Sequence, residues 1–296
     1  MGSLGSQLFQ RGKLDTSSMR WKGREESSNI DDRRGKGASG PVIGGGAALI
    51  LVIIITLLGG DPSQVLNQVN SGPTQSSNLD PEREEELRAF TAVVLKDTED
   101  VWSEVFRERG TRYEEPTLVL FTGRVDSACG MATSAVGPFY CGADRKLYID
   151  LSFYDELRTR FGAKGDFAQA YVVAHEVGHH VQNLLGTMDK VNSERERVSE
   201  KQANGLSVRL ELQADFYSGL FARRAQNMKG VLDRTDIESA VSAATAIGDD
   251  TLQRRNGDVM PDSFTHGTSQ QRVRWFLKGW DSGKIEGGDT FSVRSP

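Results

Sequence analysis

At 296 residues with 37% apolar and 8% aromatic side chains, the chain can build one domain of roughly 200 residues with a substantial core, plus appendages. Its net charge of −5 gives no electrostatic case for a nucleic-acid partner, and none is expected. Its two cysteines have no other ligand-spaced residue near them, which argues against a cysteine-built zinc site.

Residues 1–40 lean basic and polar, with Arg11, Lys13, Arg20, Lys22, Arg24, Arg33, Arg34 and Lys36. So few apolar residues cannot pack a core, and the segment is expected to be disordered. Met1–Ser18 is set aside from the functional reading as an upstream extension. The run 41–60, from Pro41 to Gly60, is uncharged and about as long as a helix that crosses a bilayer core. Basic residues precede it and Asp61 follows, so the positive-inside rule predicts a single-pass anchor. The amino terminus would then lie in the cytoplasm and the rest in the periplasm or outside. A cleaved signal peptide is the rival, since the densest apolar part, Ala47–Leu58, is only signal-length; the long polar lead and the absence of an A-x-A site argue against cleavage. Residues 61–79, rich in Ser, Asn, Gln and Gly, read as a flexible tether.

Asp80-Pro81 followed by five more charged residues opens a helix that runs towards Gly110: Asp80 caps, Pro81 suits the first turn, and the acids favour the positive end of the dipole. Thr117–Phe121 reads as a strand, and Phe139–Asp150 as two strands around a turn at Gly142–Arg145. Cys129 and Cys141 both follow the apolar run. In an oxidising compartment they are expected to form a disulfide that stabilises the fold by roughly 3 kcal/mol; two reduced, buried thiols are the alternative.

Tyr171–Gly186 carries the chemistry. Asp166 is placed to cap its helix, Phe167, Tyr171, Ala174, Gly178, Val181 and Leu185 form an apolar stripe, and Gly186 is placed to end it. His175 and His179 are four apart and share a helical face, so two imidazoles can meet one Zn²⁺. Glu176, one residue along, can act as the general base toward an activated water in the H-E-x-x-H arrangement of metal-dependent peptidases. His180 projects about 100° away from His179 and is expected at the surface or behind the ligands. Two histidines do not hold a catalytic zinc, and Glu211 on a later helix is the candidate third ligand. Asp215, four residues on, can accept from a ligand histidine. A solvated acidic face is the plainer alternative, but Leu210, Ala214 and Phe216 surround these carboxylates. Asn204-Gly205 is expected to break or kink this helical region, and Thr235–Ile247 to form a supporting helix.

The order H-E-x-x-H then E-x-x-x-D is similar to that of the gluzincin metallopeptidases. Ser263–Phe276, Arg20–Arg24 and Gly137–Cys141 narrow the resemblance to a bacterial family of membrane-anchored neutral zinc metallopeptidases, matched from Met19 onward. The resemblance implies an α+β, zincin-like domain over residues 80–296, with a small sheet ahead of the metal helix. An edge strand of that sheet would pair with an extended peptide or protein substrate. It also implies one Zn²⁺ on His175, His179 and Glu211, with Glu176 catalytic. His266 would donate to the oxyanion, with Arg272 a weaker candidate as a structural or substrate-binding cation. Trp275 and Phe276 are expected in the core. Two rival functions remain: a non-proteolytic metal-binding envelope protein that holds a peptide or protein partner, and a zinc hydrolase of a small amide or cell-wall peptide.

Overall fold

The structure is a computed structural model that describes residues 19–35, 79–163, 165–256 and 259–296. The expected membrane run 41–60, and residues 61–78 of the expected tether, lie outside the described residues. Among the described residues no helix is long and apolar enough to cross a membrane.

The fold is mixed α and β and mostly helical. Four strands form one sheet: β1 (Ile30–Asp32), β2 (Thr117–Phe121), β5 (Phe139–Cys141) and β6 (Lys146–Asp150), in the order β1-β2-β6-β5. The first three are parallel, and β5 runs antiparallel along one edge. Alternation along a strand divides the side chains between two faces. Leu118, Leu120, Leu147 and Ile149 enter the helical core. Val119, Phe121 and Tyr148 enter a smaller cluster with Val125, Ala132 and Cys141. That second face is covered by a hairpin, β3 (Arg124–Ser127) with β4 (Gly130–Thr133). The Cys129–Cys141 disulfide, with Cα atoms 5.8 Å apart, ties the hairpin's turn to β5 as expected. Burial on both faces explains why Thr117–Phe121 reads as a nearly unbroken apolar run.

Helix α1 (Pro81–Glu108) starts as its sequence predicts, Asp80 accepting from the Glu82 amide at 2.9 Å. A short helix, α2 (Ser152–Thr159), leads from β6 to α3 (Asp166–Leu184), and α4 (Thr187–Arg195) follows. Next come α5 (Glu200–Lys229), α6 (Arg234–Ala246), α7 (Asp249–Asn256) and α8 (Ser269–Ser282). Helix α3 packs against α1, α5 and α6. Its approach to α5 is close because Gly178 has no side chain: a Cβ there would lie 3.0 Å from the Ala214 carbonyl oxygen. Helices α5 and α8 approach even more closely. A Cβ at Gly219 would lie 1.9 Å from the Phe276 carbonyl oxygen, and one at Gly279 would lie 2.0 Å from that of Phe216. Trp275 and Phe276 are core residues here, as expected.

Three expectations are corrected. Residues 19–35 are not disordered: Met19 is 2% exposed, Trp21 meets Phe90 edge to face, and Ile30–Asp32 pairs with β2. The segment lacks the apolar content for a core of its own, but it docks on one already formed. Asn204-Gly205 does not break its helix into two elements; α5 runs through from a capping box between Ser199 and Gln202. At an exposed helical position glycine costs only about 1 kcal/mol, which tertiary packing overrides. Asp166 opens α3 without capping it. Gly165 holds the cap position with φ of 96°, and the Asp166 carboxylate accepts from Trp21 Nε1 at 3.3 Å.

Gly219→Ala should therefore wedge α5 from α8 and destabilise the protein by roughly 1–3 kcal/mol, a loss of several degrees in Tm. Thermal unfolding followed by circular dichroism measures this, and an unchanged Tm would contradict the backbone contact.

Candidate active site

His175 and His179 project from α3 with ring centroids 4.8 Å apart and planes nearly perpendicular. Glu211, from α5, enters between them: His175 Nε2 lies 3.0 Å from Oε2 and His179 Nε2 lies 3.4 Å from Oε1. One donor atom from each of the three side chains falls within 4.8 Å of the others. A tetrahedral ion with bonds near 2.0 Å needs donors about 3.3 Å apart; the two histidine–carboxylate distances are close to this, the widest pair would have to draw in around an ion, and two nitrogens with a carboxylate oxygen are donors of the kind that suit Zn²⁺. The set can hold one metal ion.

The far nitrogen of each imidazole is held from behind. His175 Nδ1 donates to Asp215 Oδ1 at 3.0 Å, and His179 Nδ1 donates to Gln182 Oε1 at 2.9 Å. Gln182 is itself fixed, donating to the Leu210 carbonyl at 2.6 Å. With Nδ1 protonated in both rings, both Nε2 lone pairs face the cluster, as a metal requires. Gln182 went unnoticed in the sequence although it sits three residues after His179, a spacing that puts both on one helix face.

Asp215 is completely buried. Besides His175 it accepts from Tyr171 Oη on Oδ1, and Arg272 of α8 clamps it from the other side, Nε to Oδ2 at 2.9 Å and Nη2 to Oδ1 at 3.0 Å. Burial would push this carboxyl up, but Arg272 and the His175 hydrogen bond outweigh it and bring the pKa down to about 2. Arg272, 2% exposed, is thus a structural cation and not a substrate-facing one.

Glu176 is 7% exposed, and burial raises its pKa against the pull of His179 and His175. His266 sits on the loop before α8. Asp249, at the start of α7, accepts from the backbone amides of Thr265, His266 and Gly267 at 2.8, 2.6 and 3.0 Å. Its other oxygen lies 3.3 Å from His266 Nδ1. Burial lowers the His266 pKa, but the hydrogen bond to Asp249 and the field of Glu211 raise it overall. The loop therefore holds His266 within electrostatic reach of Glu211. Asp249 carried no sequence signal, because its partners lie across a loop with no periodicity.

His180 is corrected: it is fully buried, on the side of α3 that faces the sheet, and it is neither exposed nor behind the ligands. Its Nε2 donates to the Glu114 carbonyl at 2.7 Å, and Nδ1 meets Tyr140 Oη at 3.0 Å. Burial lowers its pKa to about 4, so it is neutral. Asn183 donates to the same Tyr140 oxygen at 2.8 Å, which fastens α3 to edge strand β5.

Residues 19–291 match the family described as "Putative neutral zinc metallopeptidase". The Escherichia coli K12 protein YpfJ is 46% identical over 285 residues, 92% of this chain and 99% of its own. The Mycobacterium tuberculosis H37Rv protein Rv2575 is 44% identical over 192 residues, 61% of this chain and 64% of its own. No solved structure matches the chain.

Arg272→Met should strand the Asp215 charge in the core and destabilise the protein by roughly 3–5 kcal/mol. Urea unfolding would show this, and a loss below about 1 kcal/mol would mean that the pair is not the buried clamp described.

Proposed function

The chain belongs to the neutral zinc metallopeptidase family, and on that premise we propose that it is a membrane-attached zinc endopeptidase. The observation that carries this is the meeting of His175, His179 and Glu211 beside Glu176, with both histidines oriented from behind. These three residues would hold one Zn²⁺, which supplies Lewis acidity to activate water and polarise a scissile carbonyl when bound. Glu176 takes the proton of the attacking water and returns it to the leaving amine. Asp215 and Gln182 keep the two imidazoles aimed. His266, held by Asp249, donates a hydrogen bond to the oxyanion that develops on the carbonyl.

Peptide or protein substrates follow from the edge position of β5. Among the described residues no strand pairs with its outer edge, which strand addition would use, and Tyr140 on this strand is fastened to the metal helix through Asn183. The apolar run 41–60 attaches the protein to a lipid bilayer. The Cys129–Cys141 disulfide supports a catalytic domain in the periplasm or outside the cell, where such a bond persists.

Metal analysis and hydrolysis of a mixed peptide library, made on the full chain, test this directly. Wild type should carry stoichiometric zinc and show chelator-sensitive cleavage. Glu176→Gln should keep its zinc and lose roughly 10²–10⁴-fold in rate, whereas Glu211→Ala should lose both. Full cleavage by Glu176→Gln would refute its role as base, and zinc retained by Glu211→Ala would refute the third ligand. Stoichiometric zinc with no cleavage of any peptide would leave a metal-binding protein or a hydrolase of small amides.

A further inference from the structure

Where the amino-terminal arm docks, it encloses a cavity of about 440 Å³ against α1 and the first turns of α3, and none of the metal-binding residues lines it. The arm contributes Trp21 and Lys22 to its walls, α1 contributes Arg83 and Phe90, and α3 contributes Asp166 and Gln169. The volume is that of a small-molecule site.

Two polar groups of α3 reach this cavity with bonding capacity left over. Gln169 is only 9% exposed, yet its carboxamide makes no hydrogen bond to any described residue. Neither of its amide atoms is sealed from solvent, so the remaining exposure is through the cavity that it lines. A polar group so deeply buried is ordinarily answered by a partner. Asp166 lies three residues earlier on the same helical face. Its Oδ2 accepts from Trp21 Nε1 at 3.3 Å, while Oδ1 receives no hydrogen bond from a described residue. Burial raises the pKa of this carboxyl against the Trp21 hydrogen bond. A cationic donor shared by Asp166 Oδ1 and Gln169 Oε1 would answer both groups.

The arm and α1 supply the opposite charge. Lys22 Nζ at 3.1 Å and Arg83 Nη1 at 2.7 Å share the single carboxylate of Glu86, which leaves these two cations in excess over their acid. Trp21 and Phe90, edge to face with centroids 5.5 Å apart, add apolar surface. A simple cation would meet Lys22 and Arg83, and a simple anion would meet Asp166. Only a ligand that carries both charges answers both sets.

We propose that this cavity binds a small apolar zwitterion, a free amino acid or an unblocked dipeptide, with its ammonium on Asp166 and Gln169, its carboxylate on Lys22 and Arg83, and its side chains against Trp21 and Phe90. Peptide hydrolysis releases molecules of this class, but the cavity shares no residue with the metal-binding cluster and its occupancy does not depend on turnover.

The test is calorimetric binding of L-leucine and L-leucyl-L-leucine to the full chain, with chelator present so that no peptide is cleaved. At least one should bind saturably with Kd below about 1 mM, and N-acetyl-L-leucinamide, which carries neither charge, should not bind. Gln169→Leu and Asp166→Asn should each weaken binding by about tenfold or more, whereas Glu211→Ala should leave it unchanged. In the unaltered chain the Trp21 indole N–H resonance, assigned by its loss in Trp21→Phe, should shift as ligand is added; this readout does not require either α3 variant to fold. No binding of either compound up to about 10 mM, equal binding of the blocked compound or an unmoved Trp21 resonance would each overturn the proposal. Binding lost in Glu211→Ala but kept in Gln169→Leu would overturn it too, by placing the ligand at the metal-binding cluster.

Discussion

A single buried carboxylate, Asp215, holds together the cluster of His175, His179 and Glu211. It has no access to water, yet stays ionised because Arg272 grips both of its oxygens. In that state it accepts a hydrogen bond from the Nδ1–H of His175, which leaves the Nε2 lone pair facing Glu211. Three helices supply the participants: α3 brings His175 and Tyr171, α5 brings Asp215, and α8 brings Arg272. A charge of this kind is costly to bury unless every lone pair is answered, and here every partner must be in place at once.

Side chains of fixed length close this network only if the helix axes are close. Glycine provides that at both contacts, Gly178 against Ala214 and Gly219 with Gly279 against the facing backbone. The site's geometry thus rests on positions that carry no chemistry. The sheet secures α3 from its other side, where neutral His180, Tyr140 and Asn183 tie it to β5. Adjacent histidines in one motif therefore serve different faces of one helix: His179 faces Glu211 and His180 the scaffold.

The amino-terminal arm shows how far a local rule can mislead. Its composition is that of a chain that does not fold, and taken alone it has no core. Its few anchors become sufficient because α1 and β2 already present a groove, a strand edge and the buried acids Asp97 and Glu99.

Features governed by neighbours within a few residues were legible in the sequence. The i, i+4 placement of His175 and His179, the cap at Asp80, the turn between β5 and β6, the apolar strands and the one possible cysteine pairing all depend on local geometry or on arithmetic. Glu211 and Asp215 could be nominated because their own spacing repeats the helical period, but only α3–α5 packing brings them to the histidines. The clamp by Arg272, the grip of Asp249 on the His266 loop, the continuity of α5 through Asn204-Gly205 and the docking of residues 19–35 were decided by tertiary structure. Each joins residues far apart in the chain or depends on packing that no periodicity records, and their energies arise only once the helices and the sheet have closed the core around them.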